Sequence, residues 1–365
     1  MKVVISGVSL TEGGILSILQ DCAKSAKKIS GEHDFIFLVH QKELMATEDP
    51  RFVVKEYPKI KQSWFRRLYF EYIYCKKLSK ELKPDVWISL HDMTPNVLAT
   101  KQFVYCHNPS PFFTARLKDV FIDYKLFLFS FFYKYLYGIN IKKNKYVIVQ
   151  QNWLREAFNA MYDVSTIVAY PSIDLPEILF GTLNAKVDDQ PFTFFYPSFP
   201  RIFKNFEVLL DATLLLAAQR VDFQVVVTID ASQNKLAEQL FKKYKHCDQI
   251  KFIGKQTRDS VYEIFNNCNC LLFPSKLETW GLPLTEAKLF KKPILVADLE
   301  YAHENIQDYK NVKFFDPDNP KMLASYMDKQ IDGILLFDKN VAKVPLSPFY
   351  KDWDNLIQFL ITDKR

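Results

Sequence analysis

Short apolar runs alternate with longer stretches in which apolar residues recur at three- and four-residue spacing, almost from one end of the chain to the other. The runs "KVVIS", "DFIFLVH", "RFVVKEY", "DVWISL", "QFVYCH" and "KYVIVQ" read as strands in the first half. A second series starts afresh with "FTFFYPS" and continues through "FQVVVTI", "IKFIG", "NCLLFPS", "PILVAD" and "VKFF". Strand-length runs separated by amphipathic helices specify parallel sheets covered by helices on both faces. The expected fold is therefore α/β, with two doubly wound Rossmann-like domains facing a central cleft. The first domain is expected over residues 1–172 and the second over 191–345. The polar, proline-bearing stretch 173–190 between them reads as a linker. The closing segment 346–365 has apolar positions at helical spacing and is expected to pack back on one domain, the first being favoured.

Length agrees with this division, because a chain of 365 residues exceeds the roughly 250 to 300 residues at which a single core stops growing. A formal net charge of +6 spread among mixed charges demands no nucleic-acid partner and suits a small phosphate-bearing ligand equally well. The six cysteines lack paired zinc spacing, so they read as free cytosolic thiols and the expected location is cytoplasmic. The opening "MKVVISGVSLTEGG" reads as a first strand rather than a secretion signal.

Ligands of open α/β sheets bind beyond the carboxyl ends of the strands, so the loops after the strands are where chemistry is sought. Only nine glycines occur, against about 7% of residues in an average chain. Gly13 and Gly14 open the first helix, where a bare backbone lets a ligand approach closely. Gly281 precedes a helix with Pro283 in its first turn, and the amides around Trp280, Gly281, Leu282 and Leu284 are expected to form an anion site. Glu286 lies about one turn inside that helix and leans toward its start. A carboxylate there repels a phosphate but accepts hydrogen bonds from a ribose. Glu278 in the preceding loop likewise suits a polyol. A phosphate flanked by two hydroxyl-bearing groups outlines a nucleotide sugar.

The stretch "PSKLETWGLPLTEAKLFKKPILVAD" resembles the E-x7-E signature of retaining glycosyltransferases of the B-type fold (GT-B), family four. The resemblance implies that Glu286 binds the nucleotide ribose, that Glu278 sits by the donor sugar, and that Gly13 and Gly14 meet the donor phosphates and the acceptor. It also implies a basic pair in "YPSFPRIFKNFEVLLDA", matched by Lys204 and, at a shorter spacing than usual, by Arg201. His107 in "FVYCHNPSPFF" matches a histidine near the transferred sugar. His91 and Asp92 in "SLHDMTPN" read, from the residues alone, either as bordering the acceptor or as an ordinary turn or cap. Ser275, Thr279, Trp280, Gly281 and Leu282 complete the donor-binding set, and His107, Glu278 and Lys204 are the expected catalytic residues. The implied activity moves a sugar from a nucleoside-diphosphate sugar to a glycan or lipid-linked hydroxyl, in surface polysaccharide or glycolipid synthesis. Lys, Arg and amides would meet the charge on the leaving diphosphate, so neither a cofactor nor a metal is expected. "DPD" at 316–318 reads as a turn and helix cap rather than a metal site.

Residues 112–137, "FFTARLKDVFIDYKLFLFSFFYKYLY", carry too many charges to span a bilayer. They read either as helices covering the first sheet or as an interfacial helix with snorkelling lysines, giving peripheral contact with the inner face of the membrane. Two rival functions remain. A nicotinamide-dependent dehydrogenase is disfavoured because "ISGVSLTEGG" lacks G-x-G-x-x-G. A non-catalytic sugar-nucleotide-binding subunit of the same fold is the more serious alternative.

Overall fold

A computed structural model describes residues 1–29, 31, 33–45, 49–113, 124–171 and 191–362. The expected linker 173–190 and residues 114–123 of the aromatic segment lie outside the described residues. The chain divides into two compact units. One comprises Met1–Phe112, Phe129–Ser172 and Pro345–Arg365, and the other comprises Phe113–Leu128 and Ile173–Val344.

The first unit is built on strands β1 (Lys2–Gly7), β2 (Asp34–Val39), β3 (Phe52–Glu56), β4 (Val86–Ser89), β5 (Lys101–Cys106), β6 (Tyr146–Val149) and β7 (Thr166–Ala169). The second carries β8 (Phe192–Tyr196), β9 (Phe223–Val227), β10 (Ile250–Phe252), β11 (Cys270–Phe273), β12 (Ile294–Ala297) and β13 (Val312–Phe315), and the chain then returns to the first unit through β14 (Phe349–Tyr350). The eight-stranded sheet runs β14-β7-β6-β5-β4-β1-β2-β3 and the six-stranded sheet β10-β9-β8-β11-β12-β13. Every pair is parallel, for example Val3 opposite Phe35 and Cys270 opposite Phe194. The unbroken burial of β4, β11 and β12 follows from helices on both faces, which is why their sequences are continuous rather than alternating.

Each strand read from the apolar pattern is present, and two more appear. β7, "TIVA", is only four residues long, and β14 is a two-residue strand that exists because the returning chain pairs Phe349 with Val168 and Tyr350 with Ala169. Neither has enough apolar length to signal itself in isolation. Arg155 secures the return, its guanidinium donating to the carbonyls of Leu346 at 2.6 Å and Pro348 at 2.5 Å.

The closing helix Trp353–Thr362 packs beside the first helix, Gly13–Lys28, and contributes Trp353, Leu356, Ile357 and Leu360 to the first core. The Trp353 ring stacks on Tyr105 with centroids 5.3 Å apart. Each such buried side chain is worth about 1.5–3 kcal/mol, so the final helix is an integral part of the first unit.

Candidate functional site

In an open parallel sheet, neighbouring loops diverge where the strand order reverses, leaving a crevice beyond the carboxyl ends of the two strands. The six-stranded sheet reverses between β8 and β11, and the eight-stranded sheet between β1 and β4. Most of the residues singled out by sequence lie in the loops after these strands.

In the second unit, the loop after β8 carries Arg201 and Lys204, and the loop after β11 carries Ser275 to Gly281. Lys204 Nζ donates to Glu278 Oε1 at 2.5 Å, joining the two loops over the reversal point. The side chains are only 19% and 10% exposed, so the pair is shielded enough for its charges to matter. Arg201 is exposed, with its guanidinium over the Phe199 ring.

Four residues that the sequence did not single out hold these loops. Asn205 adopts a left-handed conformation, and its amide donates to the carbonyls of Pro274 at 3.1 Å and Pro317 at 2.7 Å. Tyr196 donates to the Lys204 carbonyl at 2.9 Å, and Tyr301 to the Ser275 carbonyl at 2.6 Å. Asn305 donates to the Trp280 carbonyl at 2.7 Å and the Gly281 carbonyl at 3.3 Å. Ser275 itself is fully buried, and its hydroxyl turns to the Phe203 and Leu277 carbonyls. It acts as a brace for the loop.

The helix Leu282–Leu289 begins at Gly281, whose φ of 79° is left-handed, with Pro283 in the first turn. A Cβ on Gly281 would stand 3.3 Å from both Leu284 Cδ1 and Phe273 Cε1. Backbone conformation and packing therefore both require glycine. The expected anion site is narrower than the sequence suggested, because the Leu284 amide already donates to the Gly281 carbonyl at 2.9 Å. Trp280 is buried, and its indole N–H donates to Thr285 Oγ1 at 2.9 Å, while Thr279 and Leu282 remain half-buried. Glu286, one turn further on, is buried, and its carboxyl is raised to about 7 by loss of solvent, with Arg258 opposing the shift. Near neutral pH it both donates and accepts hydrogen bonds, which suits a vicinal diol.

In the first unit, Gly13 and Gly14 are exposed at the start of the first helix, and Gly13 has φ 63° with open space where a Cβ would lie. After β4, Asp92 is buried in a left-handed conformation, φ 70°. Its Oδ1 accepts from the His107 amide at 2.7 Å, the Asn108 amide at 3.1 Å and the Tyr137 hydroxyl at 2.9 Å. His107 Nδ1 lies 3.6 Å from the same oxygen. Burial lowers the affinity of His107 for a proton, and Asp92 opposes that shift. The imidazole is thus held neutral beside an anion. His91, behind this turn, is buried with Nε2 within 3.0 Å of Ser6 Oγ.

Asp316 and Asp318 form the turn expected of them. The Asp318 amide donates to Asp316 Oδ1, Lys276 pairs with Asp318, and Asn319 caps the helix Pro320–Ile331.

Residues 183–333 match a family model described as glycosyl transferases group 1. Across that span the chain resembles group 1 glycosyl transferases. The matched span contains Arg201, Lys204, Glu278, Gly281 and Glu286. A curated relative, the O-antigen chain mannosyltransferase RfbU of Salmonella typhimurium, is 21% identical over 275 residues, covering 72% of this chain and 69% of the relative. Among solved structures, the apo form of the lipopolysaccharide outer core galactosyltransferase WaaB superposes with a TM-score of 0.65 at 15% identity, covering all of both chains. The Anabaena protein HepE in complex with UDP-glucose gives a TM-score of 0.60 at 15% identity, over 91% of this chain and 90% of the other. These likenesses establish the GT-B fold for this chain.

Proposed function

We propose that this protein transfers a glycosyl group from a nucleoside-diphosphate sugar to the hydroxyl of a glycan or lipid-linked acceptor, with retention at the anomeric carbon. The observation that carries this reading is the Lys204–Glu278 pair over the reversal point of the six-stranded sheet, next to a helix start at Gly281 and a buried Glu286. The helix start and Lys204 would neutralise the charge that develops as the diphosphate leaves. Arg201 adds a second cation from the same loop. Glu286 would hold the ribose hydroxyls and Glu278 those of the transferred sugar. His107 would serve the transferred sugar as a neutral hydrogen-bonding group. Gly13 and Gly14 would let the diphosphate or the acceptor approach the backbone. Within this reading neither a cofactor nor a resident metal has a role, because the protein supplies the positive charge.

RfbU and WaaB are described as acting on O-antigen chains and the lipopolysaccharide outer core, which supports a surface glycan as the acceptor class. Incubation with UDP-glucose, UDP-galactose and GDP-mannose is the test. Slow release of nucleoside diphosphate, with the α-anomer seen first by proton NMR, is expected for a retaining transferase. Tight binding without release of any diphosphate would leave only the non-catalytic subunit.

Peripheral contact with an anionic membrane belongs to the same proposal. No helix among the described residues is long and apolar enough to cross a membrane. The helix Tyr124–Gly138 nevertheless exposes Phe131, Phe132 and Tyr135, and the helix Trp64–Tyr69 exposes Trp64, Phe65 and Tyr69. Trp64 meets Tyr133 edge-on at 6.0 Å, placing these aromatics side by side with Arg66 and Lys134 among them. Aromatic anchors with interspersed cations fit a headgroup layer. Sedimentation with anionic vesicles at low salt should carry the protein down. Absence of binding there removes the membrane from the account.

A further inference from the structure

Beneath the turn that carries Asp92 lies a cluster that the reading above does not use. Between the helices Trp64–Tyr69 and Cys75–Leu82 the chain makes one π-helical turn, Phe70–Tyr74, with the Cys75 amide donating to the Phe70 carbonyl five residues back. Such turns cost hydrogen-bond geometry and recur at functional sites. Here the turn carries Glu71, a carboxyl with no exposure at all. Neither of its oxygens has a hydrogen-bond partner, yet Oε1 lies 3.5 Å from His91 Nδ1. One helical turn earlier, Arg67 Nη2 donates to the His91 carbonyl at 2.8 Å, and its buried Nε is unpartnered. His91 is therefore held by Ser6 and Ser89 at Nε2 and by Arg67 at its carbonyl, while the Glu71 carboxyl packs against its Nδ1 edge.

The residue held this way is the immediate neighbour of Asp92, whose left-handed conformation, φ 70°, its surroundings must support. Asp92 in turn accepts the amides of His107 and Asn108. We propose that Glu71 and Arg67 are positioning residues of the transfer site, clamping His91 so that Asp92 keeps its left-handed turn and seats His107. The inference rests on the reading that His107 faces the transferred sugar. The groups facing Glu71 and His91 are Arg67, Tyr72 and Cys75 on the same helical run, Ser6 and Ser89 from β1 and β4, and His107 from the loop after β5; Tyr137 meets Asp92 from the far side. Burial keeps Glu71 protonated until pH about 8, with Arg67 opposing, and keeps His91 neutral. Glu71 thus meets His91 as a neutral carboxyl beside a neutral ring, 3.5 Å away.

Amide hydrogen exchange of the full chain tests this without any substrate, because the His107 and Asn108 amides report directly whether the Asp92 carboxylate is in place. In Glu71→Met and Arg67→Met, as in Asp92→Ala, these two amides should exchange at least about tenfold faster, while Glu71→Gln should keep their protection. Donor turnover in the two Met variants should fall by up to about a hundredfold with little change in KM, as expected for a displaced reacting group. Unchanged exchange at both amides in both Met variants overturns the inference. If His107→Gln leaves donor hydrolysis intact, the reading of His107 fails while the structural clamp stands. Should Glu71→Met not fold, Arg67→Met alone decides the matter, and unchanged exchange at both amides there overturns the inference.

Discussion

The two reversal points of the molecule use opposite designs. In the second unit the functional groups come from contiguous loops and one helix start: Lys204 and Glu278 pair directly, and Gly281 and Glu286 follow within nine residues. In the first unit the turn carrying His107 is held indirectly, through the Asp92 carboxylate with Tyr137 beside it, and behind it Ser6 reaches His91 from 85 residues away. The first design concentrates charge where a diphosphate would sit. The second buries polar groups to orient one neutral side chain. A site of paired charges should be sensitive to loss of either charge, whereas a buried scaffold should be sensitive to geometry.

The largest effect expected from this contrast is at Lys204. Lys204→Ala removes the cation opposite a leaving diphosphate and leaves Glu278 buried without its partner, so kcat/KM for donor hydrolysis should fall by about 10²–10³-fold. The double variant with Glu278→Ala should lose less than the product of the single losses, because the two groups share one interaction. Additive losses would separate the pair and break the comparison.

Glu286 comes next. Loss of its hydrogen bonds to a ribose in Glu286→Ala should cost about 2 kcal/mol of transition-state stabilisation, measured as kcat/KM. Its carboxyl is raised from 4.5 to about 7 in the folded protein, so the folded state binds more protons than the unfolded state between those values. The stability it contributes is therefore full below pH 4.5 and disappears as pH rises through 7. Glu286→Gln should flatten the fall in Tm between pH 4.5 and 7, as differential scanning calorimetry would show.

Gly281→Ala forces a Cβ into a left-handed conformation against Phe273 and Leu284, and should lower stability by about 1–3 kcal/mol in a denaturant titration. The smallest effect is expected in the first unit. Tyr137→Phe removes one of the three hydrogen bonds to Asp92 Oδ1 and should cost about 1 kcal/mol of stability. A loss larger than that of Gly281→Ala would mean that the buried scaffold carries more of the fold than the helix start does.

The same contrast governs what could be read from the chain. Continuous apolar runs are the direct product of sheets buried on both faces, so the two-sheet α/β architecture was legible, and only the short β7 and β14 escaped. The loop from Ser275 to Glu286 was legible because its glycine, proline and carboxylates lie together in sequence and each reflects a local requirement. Even there, the role of Gly281 turned out to include a positive φ and a tight contact with Phe273. The Leu284 amide, expected to be available, is used by the helix itself. The braces Asn205, Tyr196, Tyr301 and Asn305 act through contacts 8 to 112 residues away, and single asparagines and tyrosines carry no local signal of that kind. Glu71 and Arg67 were invisible for the same reason: a charged residue on an amphipathic segment reads as solvated until the fold buries it.

The central claim is that a nucleoside diphosphate is held at the reversal point of the six-stranded sheet by Lys204, Glu286 and the helix start at Gly281. Thermal unfolding with UDP, GDP and ADP, in the wild type and in Lys204→Ala and Glu286→Ala, tests it most directly. One of the three should raise wild-type stability by about 2.7 kcal/mol at a hundred times its Kd, and most of that gain should vanish in both variants. Stabilisation that survives undiminished in both variants, or no stabilisation by any of the three, would contradict the account.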